Sequence, residues 1–453
     1  MDKKGLRLTD QQMQAFIQRG HITLRTDFPE SFHEAIYSRI ETILDQSGNP
    51  GNNLLPRVPG IQEVLSHPEV HGALSSILGP SYYAHPHRYC HVNPPNTPAQ
   101  SLHKDGYSKH HHRTRWVMAF YYPQHTPVEM GPTGVADGSQ YFNTAPPHDG
   151  ETPLIGEAGT VVLVHYDLWH RGTQNTGDRK RFMLKFLFTR LDEPTAPEWQ
   201  SDSGDWQASD PSLEGLWQNI WNWHRGRPGA GTPVSDGTVA DWTRLLDGGS
   251  ETQQFQAAYA LGAIGENAVG AMIERLASTD PVVRRNAGYA LTAIGEASVD
   301  ALSRLVRLSD ASEDARAGAL DTLGDIGKPA AAAVPVITAA LGDAALVVRR
   351  AAADALGTMN GAAAPAAERL GTVLREEDEW VCRNAALSLL RMGRAAEPAT
   401  SALITALRHE NRYVRLKAAH ALERVGTSEA IETALDFYRA NAWCPVTDAT
   451  TPF

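Results

Sequence analysis

The stretch Asp280-Pro281-Val282-Val283-Arg284-Arg285-Asn286-Ala287-Gly288-Tyr289-Ala290-Leu291-Thr292-Ala293-Ile294-Gly295 decides the architecture of the second half of the chain, because its pattern recurs. Leu261, Leu291, Leu323, Leu356, Leu389 and Leu422 follow one another at intervals of 30, 32, 33, 33 and 33 residues. Four residues beyond them stand Gly265, Gly295, Gly327, Asn360, Gly393 and Gly426, and seven residues before them Gln254, Arg284, Arg316, Arg349, Cys382 and Arg415. A period of this length marks stacked supersecondary units. The leucines supply a buried helical stripe, and small residues such as Ala257/Ala260 and Ala418/Ala421 let neighbouring helices approach closely. Asp280, Asp310, Asp343, Asp378 and Glu410 favour helix N-termini, and a Gly or Asn closes each helix where the backbone must turn left-handed. Each unit reads as helix, turn, acidic N-terminus, second helix and C-cap. None can bury its apolar face alone, so the units must stack.

The pattern D-x-x-V-R-x-x-A-A-x-A-L-x-x-[IM]-G resembles the short HEAT-like repeats of the phycobilisome-lyase type over about residues 252–437. The array's His409-Glu410 pair is read as a solvated surface pair, not a metal site.

Outward from the repeats the composition changes near residue 200, where aromatics, Pro, His and β-branched runs replace the Ala, Leu, Val, Arg and Gly of the helical half. A length of 453 residues predicts two or three domains. Forty-one Lys and Arg against fifty-two Asp and Glu give a formal charge of −11, with no dense basic run to bind a phosphate backbone, so nucleic acid is excluded as a partner. No stretch approaches eighteen uncharged apolar residues and no leader pattern follows Met1, so no membrane partner and a cytoplasmic location are expected. Cys90, Cys382 and Cys444 are too far apart for a metal knot or a disulfide framework and read as reduced, buried thiols.

In the N-terminal half, Leu8-Thr9-Asp10-Gln11-Gln12 forms a capping box, Met13, Phe16 and Ile17 an apolar helix face, Gly20 a stop, and His21–Leu24 a strand. Strand-like runs at Tyr89–Val92, Trp116–Tyr122, Thr160–His165 and Phe182–Thr189, separated by Pro, Gly and Asn/Asp, argue for a β-sandwich or jelly roll. Trp217, Ile220, Trp221 and Trp223 form a short packing helix ahead of the linker Gly226–Gly231.

The eighteen histidines concentrate between His85 and His170. His103-Lys104-Asp105 places two ligand types at i and i+2, where both side chains can point to one ion, and a 2-His-1-carboxylate face suits octahedral Fe(II) with positions open for a bidentate cosubstrate and dioxygen. His165-Tyr166-Asp167 is a rival His-x-Asp pair. His170 ends the segment after the strand Thr160–Val164, and Arg181, eleven residues on, opens the next strand. A ligand and a guanidinium so placed can face one cavity, with the guanidinium clamping a distal carboxylate in two bonds. The run Lys109-His110-His111-His112-Arg113-x-Arg115 is an attractor for an anionic substrate, a solvated loop or an adventitious metal binder. Tyr107, Trp116, Arg88 and His87 are pocket candidates by proximity in sequence.

Gln100–Asp105, Gly131-Pro132-Thr133, Gly138-Ser139, Leu168-Trp169-His170-Arg171-Gly172 and Arg181 together resemble the phytanoyl-CoA dioxygenase family of Fe(II)/2-oxoglutarate oxygenases, over about residues 6–195. The segment Asp137-Gly138-Ser139-Gln140 departs from that family's usual Pro-Gly-Ser-His. The resemblance implies His103, Asp105 and His170 as iron ligands and Arg181 as the partner of the far carboxylate of 2-oxoglutarate. Thr173 and Gln100 are expected to make further polar contacts to the cosubstrate. It implies Fe(II), 2-oxoglutarate and O2 as cofactors, and oxidation, with release of succinate and CO2, of a C–H bond in a small-molecule or carrier-borne substrate. Retention of Asp105 favours hydroxylation or desaturation over halogenation.

The expected fold is α+β. Residues 1–200 form a double-stranded β-helix (jelly-roll, cupin-like) dioxygenase domain and residues 201–247 a Trp-rich helix and linker. Residues 248–440 form an all-α HEAT-like solenoid of about six repeats, and 441–453 a C-terminal tail. The repeats offer a surface for a protein partner or for substrate recruitment. The alternative is a non-catalytic HEAT-repeat interaction protein carrying a degenerate dioxygenase domain.

Overall fold

A capping box opens the first helix. Gln12 N–H donates to Thr9 Oγ1 and Thr9 N–H to Gln12 Oε1, and the helix α1 (Asp10–Arg19) ends at Gly20 with φ +81°. In this computed structural model the described residues are 6–106, 112–147, 150–202, 204–207, 211–229, 237–376 and 378–442. They fall into two units, one running to Leu191 and resuming at Ala196–Gln207, the other made of Asp192–Thr195 and the chain beyond Gln207.

In the first unit α1 leads into β1 (His21–Arg25), followed by α2 (Glu30–Ser47), α3 (Leu54–Arg57), α4 (Gly60–Ser66) and α5 (Pro68–Leu78). Then come β2 (Tyr82–Asn93), β3 (Trp116–Tyr122), β4 (Thr133–Ala136), β5 (Glu151–Pro153), β6 (Thr160–His165), β7 (His170–Gly172) and β8 (Arg181–Arg190). Five strands make an antiparallel sheet in the order β1-β6-β3-β8-β2, and three short ones make a second sheet, β5-β4-β7. Met118, Phe120, Val162, Val164, Met183 and Leu187 from the larger sheet share a buried cluster with Val135 of the smaller one.

Every residue of β8 is buried, as expected of a central strand covered on both faces. Met183 and Leu187 face the cluster between the sheets, whereas Phe182 on the opposite face stacks against Tyr37 of α2 at 4.7 Å between ring centroids. The alternation puts Arg181 and Lys185 on the inner face with Met183. β2 is longer than the expected Tyr89–Val92, because its pairing with β8 continues past an irregularity between His85 and Arg88.

The second unit opens with α6 (Glu214–His224) and α7 (Val239–Gly248). Trp217, Ile220, Trp221 and Trp223 are buried, and α6 packs on α8 (Glu251–Ile264). Helices then alternate: α9 (Val269–Leu276), α10 (Pro281–Ile294), α11 (Val299–Arg307), α12 (Glu313–Ile326), α13 (Val334–Ala340), α14 (Leu346–Thr358), α15 (Ala367–Val373), α16 (Glu379–Met392), α17 (Thr400–Ala406), α18 (Arg412–Val425) and α19 (Ser428–Ala442). The six repeat leucines lie on α8, α10, α12, α14, α16 and α18, and each is fully buried. The residues four positions later all have positive φ, from +50° at Asn360 to +78° at Gly426. Gly426 is left-handed helical, whereas Gly265, Gly295, Gly327 and Gly393 carry ψ near −130° to −138°, a region closed to side chains with a Cβ.

The repeat arginines tie successive repeats together. Arg284, Arg316, Arg349 and Arg415 each donate Nη1 to carbonyls of the loop just before their own helix, and the first three reach forward to Asp314, Asp343 and Glu376. Where Cys382 takes the position, its thiol donates to the carbonyls of Val373 and Glu376. Among the described residues no helix is long and apolar enough to cross a membrane.

Candidate active site

β7 is only three residues long, yet it sets the site. Its outer side pairs with the segment before His103: His103 N–H donates to His170 O at 3.0 Å, His170 N–H returns to His103 O at 2.9 Å, and Gln100 N–H donates to Gly172 O. The pairing brings residues 67 apart in sequence face to face, with ring centroids 4.6 Å apart. Asp105, two residues on from His103, comes within 3.6 Å of His170 Nε2. One ligand atom from each of His103, Asp105 and His170 lies within 4.8 Å of the others, the only such metal-competent group among the described residues.

Both imidazoles are pre-set. His103 Nδ1 lies 2.9 Å from the Ser101 carbonyl and His170 Nδ1 2.9 Å from the Leu168 carbonyl, so each Nδ1 carries the proton and each Nε2 keeps its lone pair for an ion. Burial, outweighing the neighbouring Asp105 carboxylate, pulls His170 down to about 4 and keeps it neutral at physiological pH. Burial works to raise Asp105, but the Lys185 ammonium 2.7 Å away and the histidines hold it below the usual carboxylate range. His170 and Asp105 thus stand in the protonation states that metal ligation requires.

Arg181 enters from the start of β8 and is 3% exposed. Its Nε donates to the Gly131 carbonyl at 3.0 Å, while Nη1 is buried with no partner among the described residues. Gly131, at φ +68°, is fixed by its neighbours: a Cβ there would lie 2.7 Å from Thr173 O and 2.8 Å from Asn175 N. Asn93 Nδ2 donates to both Gly131 O and Thr173 O, closing the turn that aims the guanidinium. Burial lowers the pKa of Arg181 without discharging it. A buried cation with a free donor needs an anion.

The ligand set and Arg181 line one cavity of about 150 Å³, together with Gln100, Thr173 and Lys185. Thr173 Oγ1 donates to Pro132 O, and Gln100 Oε1 accepts Gly172 N–H. The hydrogen bonds these two residues make therefore shape the wall. The rival His165 is fully buried, accepts Asp167 N–H at Nδ1 and joins no third ligand. Gln140, where the family pattern has His, donates Nε2 to Ile17 O, and its own carbonyl accepts from Lys104, so this residue braces α1.

Residues 38–183 match the phytanoyl-CoA dioxygenase (PhyH) family. Residues 305–391 match HEAT repeats. No curated protein matches the chain. Among solved structures, the chain is similar to the non-heme α-ketoglutarate-dependent carbocyclase SnoK from nogalamycin biosynthesis at 17% identity, over 41% of this chain and 85% of that one (TM-score 0.35). It is similar also to HygX from Streptomyces hygroscopicus with iron bound, at 13% identity over 44% and 92% (TM-score 0.34), and to the ThoJ–Ni complex, at 13% over 46% and 94% (TM-score 0.34).

Two further cavity residues, Lys185 and His91, were not among the candidates that the sequence offered. Lys185 interrupts the apolar run Phe182–Phe188, and a lysine inside a buried strand was the available signal; His91 lies in the run Tyr89–Val92 and gave none. Of the earlier pocket candidates, His87, Arg88 and Trp116 do not line the cavity, and Tyr107 lies outside the described residues. In the basic run, residues 109–111 are likewise outside them, whereas His112, Arg113 and Arg115 are buried, at 5%, 5% and 6% exposure. These three therefore form no solvated loop.

Proposed function

We propose that the chain is an Fe(II)/2-oxoglutarate-dependent dioxygenase whose N-terminal double-stranded β-helix oxidises, by hydroxylation, a C–H bond of a small-molecule or carrier-borne substrate. The observation that carries this reading is the cavity shared by the His103, Asp105 and His170 set and Arg181, whose Nη1 has no partner among the described residues. The donor set suits ferrous iron, and the buried guanidinium suits the far carboxylate of the oxo-diacid. When bound, the ion and 2-oxoglutarate supply the activation of dioxygen, with succinate and CO2 as co-products.

The chain's own residues do the rest. His103 and His170 turn their Nε2 atoms to the cavity because backbone carbonyls hold their Nδ1 protons. Asp105, paired with Lys185 until it turns to the ion, adds the single carboxylate and occupies the place that a halogenating enzyme leaves open for chloride. Arg181, aimed by Gly131 and Asn93, orients the cosubstrate, and Thr173 and Gln100 fix the wall beside it. The HEAT repeats serve protein interaction or substrate recruitment, and the enzyme works in the cytoplasm.

The test is anaerobic titration of the full chain with Fe(II) and 2-oxoglutarate. A visible charge-transfer band that is lost in His103→Ala and weakened in Arg181→Ala is the expected result. No band from a folded protein would overturn the proposal.

A further inference from the structure

Lys185 is a buried cation that the proposed reaction leaves without a match. It is 9% exposed, lines the cavity, and its Nζ sits 2.7 Å from Asp105 Oδ2. Asp105 is the one carboxylate among the described residues lining that cavity. With the site loaded, the two charges of the metal are balanced by Asp105 and one carboxylate of the oxo-diacid, and Arg181 is balanced by the other. The charge of Lys185 is left over on a side chain that is nearly buried, where an uncompensated ion is costly.

The surroundings of Lys185 fit a ligand. In the β2–β8 register Tyr89 lies opposite Lys185, His91 opposite Met183 and Asn93 opposite Arg181, so these side chains share one sheet face, on which His91 and Asn93 line the cavity and Tyr89 stands beside it. His91 Nε2 is buried without a hydrogen-bond partner among the described residues. Its ring stands 5.1 Å, edge to face, from Tyr89, which is 44% exposed. The Lys185 end therefore offers one ammonium, one unused imidazole nitrogen and an accessible phenol ring, away from the donors aimed at the cosubstrate.

Building on the oxygenase reading above, we infer that the primary substrate carries an anionic group, a carboxylate or phosphate, seated against Lys185 and His91. That group restores neutrality to the loaded pocket and orients the rest of the substrate over the metal face. It also makes binding ordered, since Lys185 is released to a substrate only after Asp105 turns to the ion.

The test uses the full chain, loaded anaerobically with Fe(II) and saturating 2-oxoglutarate, and reads the charge-transfer band while hexanoate, its neutral amide hexanamide, or inorganic phosphate is added. The expected result is a saturable shift of the band by an anionic probe and none by hexanamide. Affinity for that probe should fall at least about tenfold in Lys185→Met and be retained in Lys185→Arg. Hexanoate and phosphate distinguish the two anion classes. Equal response to hexanoate and hexanamide, bleaching of the band by displacement of 2-oxoglutarate, or undiminished binding in Lys185→Met would overturn the inference while leaving the oxygenase reading intact. Absence of the band in the unsubstituted protein would remove the reading itself and the charge argument with it. Because the hexanoate–hexanamide contrast is measured in the unsubstituted protein, it decides the matter even if Lys185→Met fails to fold.

Discussion

The two units use arginine and lysine in opposite ways. In the solenoid the cations recur with the repeat and are spent on neighbouring backbone and acids: Arg316 binds its own loop at Ala311 and the next repeat at Asp343, with only its Nε left without a partner among the described residues, and Arg349 binds Asp343, Ala344 and Glu376. In the β-unit Arg181 lines a cavity, has no acidic partner among the described residues and keeps Nη1 unpaired among them. A periodic cation paired with an acid measures cohesion between repeats, whereas a singular one without an acid, facing a cavity, measures readiness for an anion.

The sharpest way to break that contrast is to remove a ligand. In His103→Ala or Asp105→Ala, Fe(II) affinity should fall by more than about 100-fold, since losing a first ligand exceeds the loss of a supporting contact. Anaerobic metal titration checks it, and unfolding of the helical unit should be unchanged. Next, Arg181→Met should weaken 2-oxoglutarate binding about 100-fold, on the order of 3 kcal/mol for a buried charge pair, while metal binding without cosubstrate stays near that of the parent. If both affinities fell together, Arg181 would be holding the fold and not an anion.

How much of this was legible in the sequence follows from how local each signal is. Leu261 through Leu422, and the Gly and Asn residues four positions on, are read directly because each repeat packs on its neighbour in sequence. The strands Trp116–Tyr122 and Thr160–His165 appear with the expected bounds, since long apolar β-branched and aromatic runs carry their own pattern. β4, β5 and β7 are three or four residues long and have no period to detect. His103, Asp105, His170 and Arg181 were readable by order and offset. Lys185 showed only as a lone lysine in an apolar strand and His91 not at all, because it is the β2–β8 pairing that carries them to the same wall.

The remaining predictions probe the helical unit. Leu356, fully buried on α14, should cost about 3 kcal/mol as Leu356→Ala by the loss of buried area and the cavity left behind. Denaturant unfolding of the full chain reads this in the helical transition, and the charge-transfer band should be unaltered.

Arg316→Met should have the smallest effect, about 1–2 kcal/mol. It removes one bond to the Ala311 carbonyl and the 3.0 Å pair with Asp343, whose partners are 14% and 21% exposed, so solvent screens part of the loss. A double-mutant cycle with Asp343→Asn separates the two contributions. Coupling near 0.5–1 kcal/mol would assign the forward bridge a real share of repeat cohesion. Coupling indistinguishable from zero would place the whole effect in the loop carbonyl, where Cys382 already substitutes for arginine with a thiol bonded to Val373 and Glu376. The repeat position would then be conserved in role as a loop lock, and the acidic residue facing it on the next repeat would be serving its own helix N-terminus, as Asp378 does by accepting Val381 N–H.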